Sequence, residues 1–245
     1  MALSHHALPP RDHAWRFAVA GALVLVVGLG LTWLIALDTT AANARDLPVN
    51  SWFYALGLDH RWTAQLSEGV SWFAGGARNV VVVPIVIIVL LIARQWRWAI
   101  FLAVVTQAGL LVSSALKAMV ARERPPFVEH TDFQLFLSFP SGHTFAGITV
   151  WVSLGVICWY LLPRPWASIL GITLVIIGLL NGPSRLILGK HWLTDVLGAW
   201  LVAAGWWLLI WAAFLWLLAP RASVTQAAAP PGEDSVGRVG LEPTT

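Results

Sequence analysis

Charge is what this sequence has little of. Of 245 residues, only 11% are Asp, Glu, Lys or Arg, against about 25% in ordinary soluble domains. A soluble protein of this length must still cover its surface with polar groups, so a soluble globular enzyme is excluded. A disordered chain is excluded by the opposite measure: 58% of the residues are hydrophobic, and disorder needs low hydrophobicity with high charge. Cysteine is nearly absent. A single thiol, Cys158, rules out a disulfide framework and a cysteine-based zinc site; in its apolar run it reads as a small buried hydrophobe. No basic patch is interleaved with aromatics, which removes nucleic acid as a partner. The class that remains is an integral membrane protein.

What is there is a series of charge-free runs. A spanning helix needs about 20 apolar residues, with a range of roughly 17–25. The runs are Phe17 to Leu37, Asn79 to Ala93, Trp98 to Leu116, Thr144 to Pro163, Pro165 to Ser184 and Val196 to Pro220. The bilayer leaves no partner for open strand edges, so these runs are helices despite their Val and Ile content. The expected fold is all-α, a bundle of six transmembrane helices over residues 17–220, after a cytoplasmic segment 1–16 and before a disordered tail 221–245. Tryptophan outnumbers tyrosine sixteen to two and favours membrane interfaces. Trp15, Trp33, Trp96, Trp98, Trp159, Trp166 and Trp192 fall near span ends, as an aromatic belt does. Trp200, Trp206, Trp207 and Trp211 fall deeper and read as packing residues. Ala42-Asn43-Ala44 resembles a signal-peptidase site, but the apolar run before it has 21 residues, longer than the usual signal core of about 7–15. The first span is therefore read as an uncleaved helix.

Orientation follows the Lys/Arg bias. Arg11, Arg16, Arg94, Arg97, Arg164 and Arg221 crowd short turns on one side, which places both termini inside. The opposite side carries a 41-residue loop, Asp38 to Arg78. Within it, Ser51 to Leu58 and Trp62 to Phe73 mix apolar and polar residues at rough helical spacing. They read either as short interfacial helices or as a cap packed over the bundle.

In so apolar a chain, clustered ionisable residues are functional candidates. The first cluster runs from Lys117 to Arg124-Pro125-Pro126, its two cations seven residues apart and close to one helix face. The second is Pro140-Ser141-Gly142-His143, where Ser141 suits an N-cap and Gly142 admits a ligand to a helix N-terminus that favours anions. The third is Ser184-Arg185, then His191 and Asp195, the last two one helical turn apart. A carboxylate beside an imidazole N–H fixes its tautomer. Two crossings separate the loops bearing these clusters, so all three lie on one membrane face, the outer one. Three cations with helix-end amides call for a multiply charged oxyanion, and phosphate fits best. No carboxylate set is available for Mg²⁺ and no cysteines for zinc, so no metal or other cofactor is expected.

Lys117 with Arg124-Pro125, then Pro140-Ser141-Gly142-His143, then Ser184-Arg185 with His191 and Asp195, resemble the three motifs of the type 2 phosphatidic acid phosphatase family. The resemblance is complete at these positions and covers Lys117 to Asp195. It implies that His191 attacks phosphorus to form a phosphohistidine, with Asp195 orienting it, and that His143 protonates the leaving oxygen. It implies that Lys117, Arg124 and Arg185 hold the phosphoryl oxygens, with Ser141 and Gly142 adding donors, and that no metal takes part. Lys190 and Arg122 lie outside the motif and are left as field or headgroup contacts. A pocket at the bilayer surface further implies a lipid phosphate: phosphatidic acid, phosphatidylglycerophosphate or undecaprenyl diphosphate, in a bacterial plasma membrane. Vanadium-dependent haloperoxidases share such a site but are soluble. A lipid-phosphate binder or transporter has no need of the His–Asp pair. Transfer to an acceptor other than water stays open.

Overall fold

The structure, a computed structural model, describes residues 8–128 and 137–218, so the expected tail 221–245 lies outside the described residues. After a short 3₁₀ turn come α1 (Ala14–Leu37), α2 (Thr39–Asp59), α3 (Arg61–Phe73), α4 (Gly76–Ile92), α5 (Trp96–Val120), α6 (Gly142–Leu161), α7 (Trp166–Ile187) and α8 (Leu193–Leu217). No strand occurs among the described residues. Helices α1, α5, α6, α7 and α8 are each long and apolar enough to cross a membrane. A sixth candidate is α3 and α4 taken together: α4 alone has 17 residues, the lower limit for a span, and the two helices meet at a 48° bend. The polarity is that of a membrane protein. Val19, Leu23 and Val26 on α1 and Ile85, Ile88 and Val89 on α4 face outward, while Asp46, Asn50, Arg122 and Asp195 are buried.

The first span packs along the last. A Cβ added at Gly21 or Gly28 would stand 3.0 Å from atoms of α8, and one at Gly205 only 2.7 Å from the backbone of Leu25. Helices α6 and α7 meet in the same way, with a Cβ on Gly178 falling 2.5 Å from the carbonyl oxygen of Gly147. Where a membrane helix has lipid as the alternative neighbour, such close backbone approach supplies the dispersion contact that holds helices together. Trp98, Phe101, Trp207, Trp211 and Phe214 fill the end of the bundle away from the motifs, with the Trp98 and Phe214 rings 4.9 Å apart.

Two tryptophans read as belt residues are not there. Trp98 is buried in this aromatic cluster, and Trp192 is buried with its Nε1–H donated to the Glu123 carbonyl at 2.8 Å. A buried indole needs such an acceptor. Trp15, Trp33, Trp96 and Trp166 do face outward. The long loop between the first two spans is also more than short surface helices. Helix α2 covers 21 residues and packs on α7 and α8, with Ala42, Asp46 and Asn50 buried. It is a cap over the bundle.

Candidate active site

The three motif clusters converge on one cavity of about 1040 Å³. Lys117, Arg124, Gly142, His143, Arg185 and His191 all line it. The rest of its lining is mixed, with Val80, Val83, Pro84 and Leu110 beside the polar Thr106 and Gln107. Ser141 and Asp195 stand behind the wall, both fully buried.

Helix α5 delivers Lys117 and then stops at Val120, because Ala121 turns left-handed at φ 48° and two prolines follow. Arg124 therefore reaches the cavity from non-helical backbone, not from the helix face that its spacing suggested. Its Nη1–H donates to the Lys190 carbonyl at 2.9 Å. The Lys117 ammonium donates to the carbonyls of Pro140 at 2.7 Å and Leu137 at 3.1 Å, which ties the second motif to the first. Ser141 caps α6, its hydroxyl oxygen accepting from Thr144. The free amides of the helix start beside Gly142 and His143 at the cavity wall. Arg185, near the end of α7, donates from Nη1 to Ser71 of α3 at 2.9 Å, and its buried Nε–H has no partner among the described residues.

His191 sits in the turn from α7 to α8 with its Nδ1 3.4 Å from Asp195 Oδ2. A proton on Nδ1 facing the carboxylate leaves the Nε2 lone pair free. Burial, and then the charges of Arg124, Arg185 and Lys117, hold the His191 pKa well below the usual imidazole value, so the ring is neutral. Burial also lowers Lys190, helped by Arg185 and Arg124, and burial lowers Arg124 against the pull of Asp195. Like charges crowded into one partly desolvated space are relieved by an anion.

Arg122 is the residue whose role the sequence misplaced. It is not a headgroup contact: no part of it reaches solvent. Its guanidinium donates to Asp195 Oδ1 at 2.7 Å, Thr194 Oγ1 at 2.7 Å, Asn43 Oδ1 at 2.8 Å and Asp46 Oδ2 at 2.9 Å, and its Cζ lies 5.2 Å from the Trp192 ring centre. Asp195 Oδ2 in turn takes the Trp192 N–H at 2.9 Å and a very close hydroxyl hydrogen bond from Ser138. Helix α2 completes the mount. Asn50 receives the Leu193 N–H at 2.9 Å and donates to the His191 carbonyl at 2.8 Å, while Asp46 receives the Thr194 N–H at 3.1 Å. The open N–H groups at the start of α8 are thus met by side chains more than 140 residues earlier.

A family model described as the PAP2 superfamily matches residues 97–219, half of the chain. The chain belongs to the PAP2 superfamily. Phosphatidylglycerophosphatase B of Bacillus subtilis (strain 168) is 27% identical over 183 residues, which are 70% of this chain and 86% of the relative. The crystal structure of a transmembrane PAP2-type phosphatidylglycerolphosphate phosphatase from Bacillus subtilis has the same fold, with a TM-score of 0.65 at 23% identity over 79% of this chain and 94% of that one. This PAP2 protein is a membrane phosphatase, a hydrolase set in a helical bundle. The matched segment holds every motif residue, whereas Asp46, Asn50 and Ser71 lie before it.

Proposed function

We propose that the protein hydrolyses the phosphate of a membrane lipid, a phosphomonoester or diphosphate headgroup, through a phosphohistidine and without a metal. The observation that carries this reading is the make-up of one cavity: cations, imidazoles and a helix start where the motifs meet, and mainly apolar side chains, Val80, Val83, Pro84 and Leu110 among them, elsewhere in its lining. A phosphate headgroup fits the first and the lipid body the second. Phosphatidylglycerophosphate heads the substrates to be tested, since the Bacillus relative is named for it.

In this mechanism Lys117, Arg124 and Arg185 hold the non-bridging oxygens, and the Arg185 Nε–H, which has no partner among the described residues, is a donor left for one of them. Gly142, and Ser141 through the cap it makes, supply the helix start. His191 Nε2 attacks phosphorus, a P–N bond forms and the bond from phosphorus to the leaving oxygen breaks. His143 gives that oxygen a proton. A water then attacks the phosphohistidine, His143 takes its proton back, the P–N bond breaks and inorganic phosphate leaves. Asp195, fixed by Arg122 and Ser138, holds the His191 tautomer throughout. The site faces the outer side of a bacterial plasma membrane, on the Lys/Arg asymmetry of the loops. Among the described residues no group of three or more His, Cys, Asp and Glu is placed to hold a metal ion.

The test is phosphate release by purified protein from phosphatidylglycerophosphate, phosphatidic acid and undecaprenyl diphosphate, with a strong chelator present throughout. Release by the parent protein and none by a folded His191→Ala variant is the expected result. Turnover unchanged in His191→Ala removes the nucleophile, and activity that returns only with added Mg²⁺ removes the metal-free mechanism.

A further inference from the structure

Asn79 is polar, buried and unemployed. It is only 8% exposed, and neither its side-chain nitrogen nor its oxygen has a hydrogen-bond partner among the described residues. Buried amides are nearly always paired, so an unpaired one in the wall of a binding cavity marks a place where a ligand atom belongs. Asn79 lines the cavity that holds the motif residues.

Its position along that cavity is defined. The Asn79 backbone N–H donates to the Gly75 carbonyl at 3.3 Å, so Asn79 stands one turn along α4 from its N-cap, Gly75. Gly75 lies against the acid of the proposed mechanism: a Cβ added to it would stand 3.1 Å from His143 Nε2. One turn advances about 5.4 Å, which puts Asn79 one step past the leaving oxygen. The next residue on that face, Val83, also lines the cavity and is apolar. Asn79 is therefore at the junction between the phosphate end and the hydrocarbon end, where the first carbons of the leaving group must lie.

We infer that Asn79 contacts the leaving group and favours glycerol-based lipids. The inference rests on the lipid phosphatase reading above and narrows it to a substrate class. In a glycerol leaving group, the carbon next to the scissile oxygen's carbon bears a hydroxyl or an ester. A hydroxyl satisfies both the donor and the acceptor of the amide, and an ester satisfies the donor. An isoprenyl monophosphate offers only hydrocarbon at that point, so the amide stays unpaired in that complex, whereas the second phosphate of a diphosphate would meet only the amide's donor. Sites built to hydrogen-bond a substrate group discriminate strongly against analogues that lack it.

The experiment is the ratio of kcat/KM for phosphatidylglycerophosphate to kcat/KM for farnesyl phosphate, in the same detergent micelles, for the parent and for Asn79→Leu. The expected result is a fall of about ten-fold or more in that ratio, the scale of one lost hydrogen bond to a buried partner. A ratio unchanged by the substitution, whatever happens to the two rates together, overturns the inference and leaves Asn79 structural. Where Asn79→Leu does not fold, Asn79→Ala is read by the same ratio. Failure of the parent to release phosphate from either lipid removes the phosphatase reading and this one with it.

Discussion

Replacing Arg122 with Met is the sharpest probe of how Asp195, the carboxylate proposed to orient His191, is held. In the folded protein one guanidinium serves two acids, Asp195 at 2.7 Å and Asp46 at 2.9 Å, all essentially without solvent contact. Met keeps the stem's bulk and removes the charge and every donor. Breaking a buried pair by deleting one partner costs about 3–5 kcal/mol, because the other charge stays buried and uncompensated. At about 2–4 °C per kcal/mol for a chain of this size, the melting temperature in detergent falls by about 6–20 °C. Turnover falls with it, because Asp195 loses the bond that fixes the oxygen turned away from His191. KM moves little, since Lys117, Arg124 and Arg185 are untouched. Adding Asp46→Asn to Arg122→Met removes one of the two stranded charges and recovers part of the stability. Arg122→Lys does not recover turnover, because a single ammonium cannot reach four acceptors spread around a planar fork. The reasoning is refuted if Arg122→Met melts with the parent protein and keeps its kcat.

Two further outcomes follow from the geometry. His191 is neutral in the folded protein, with its pKa held well below the ordinary value of about 6.5. The unfolded chain therefore binds a proton that the folded one does not, and stability is lost as pH falls below about 6.5. Going from pH 7.5 to 5.5 this group alone removes stability on the order of 1 kcal/mol, so melting curves of His191→Gln should show a smaller acid loss; identical pH slopes would contradict it. Gly178→Ala places a methyl 2.5 Å from the Gly147 carbonyl oxygen and should lower stability by about 1–3 kcal/mol, along with activity, because α6 carries His143 and α7 carries Arg185. A melting temperature equal to the parent's would show that the two helices separate without cost.

The spans and the motif cluster were legible because both are written in local patterns. Charge-free runs of the right length announce helices, and Lys117, His143, Arg185 and His191 stand out against an apolar background. What was not legible depends on partners far away in sequence. Asp46 and Asn50 sit in a helix that looks like any mixed loop helix until α8 lies against it. Arg122 stands two residues before the motif arginine and looks like one more positive flank, since nothing local says that Asp46 will reach it. The Lys117–Arg124 spacing suggested a shared helix face, and the left-handed Ala121 broke that geometry while the cavity still collected both cations. Trp98 and Trp192 lie close to span ends by position, yet both are buried, one by neighbouring rings and one by the Glu123 carbonyl.

The mount under Asp195 has a bearing on where the boundaries of the catalytic unit lie. Residues 97–219 contain the whole chemical signature, but cut out on their own they would carry Arg122 stripped of Asp46 and Asn43, an α8 start stripped of Asn50, and an Arg185 stripped of Ser71. The segment by which relatives are recognised is thus smaller than the machine. Grafting it onto another membrane scaffold should transfer the cluster of cations without the alignment of His191, the proposed nucleophile, unless the second helix travels with it.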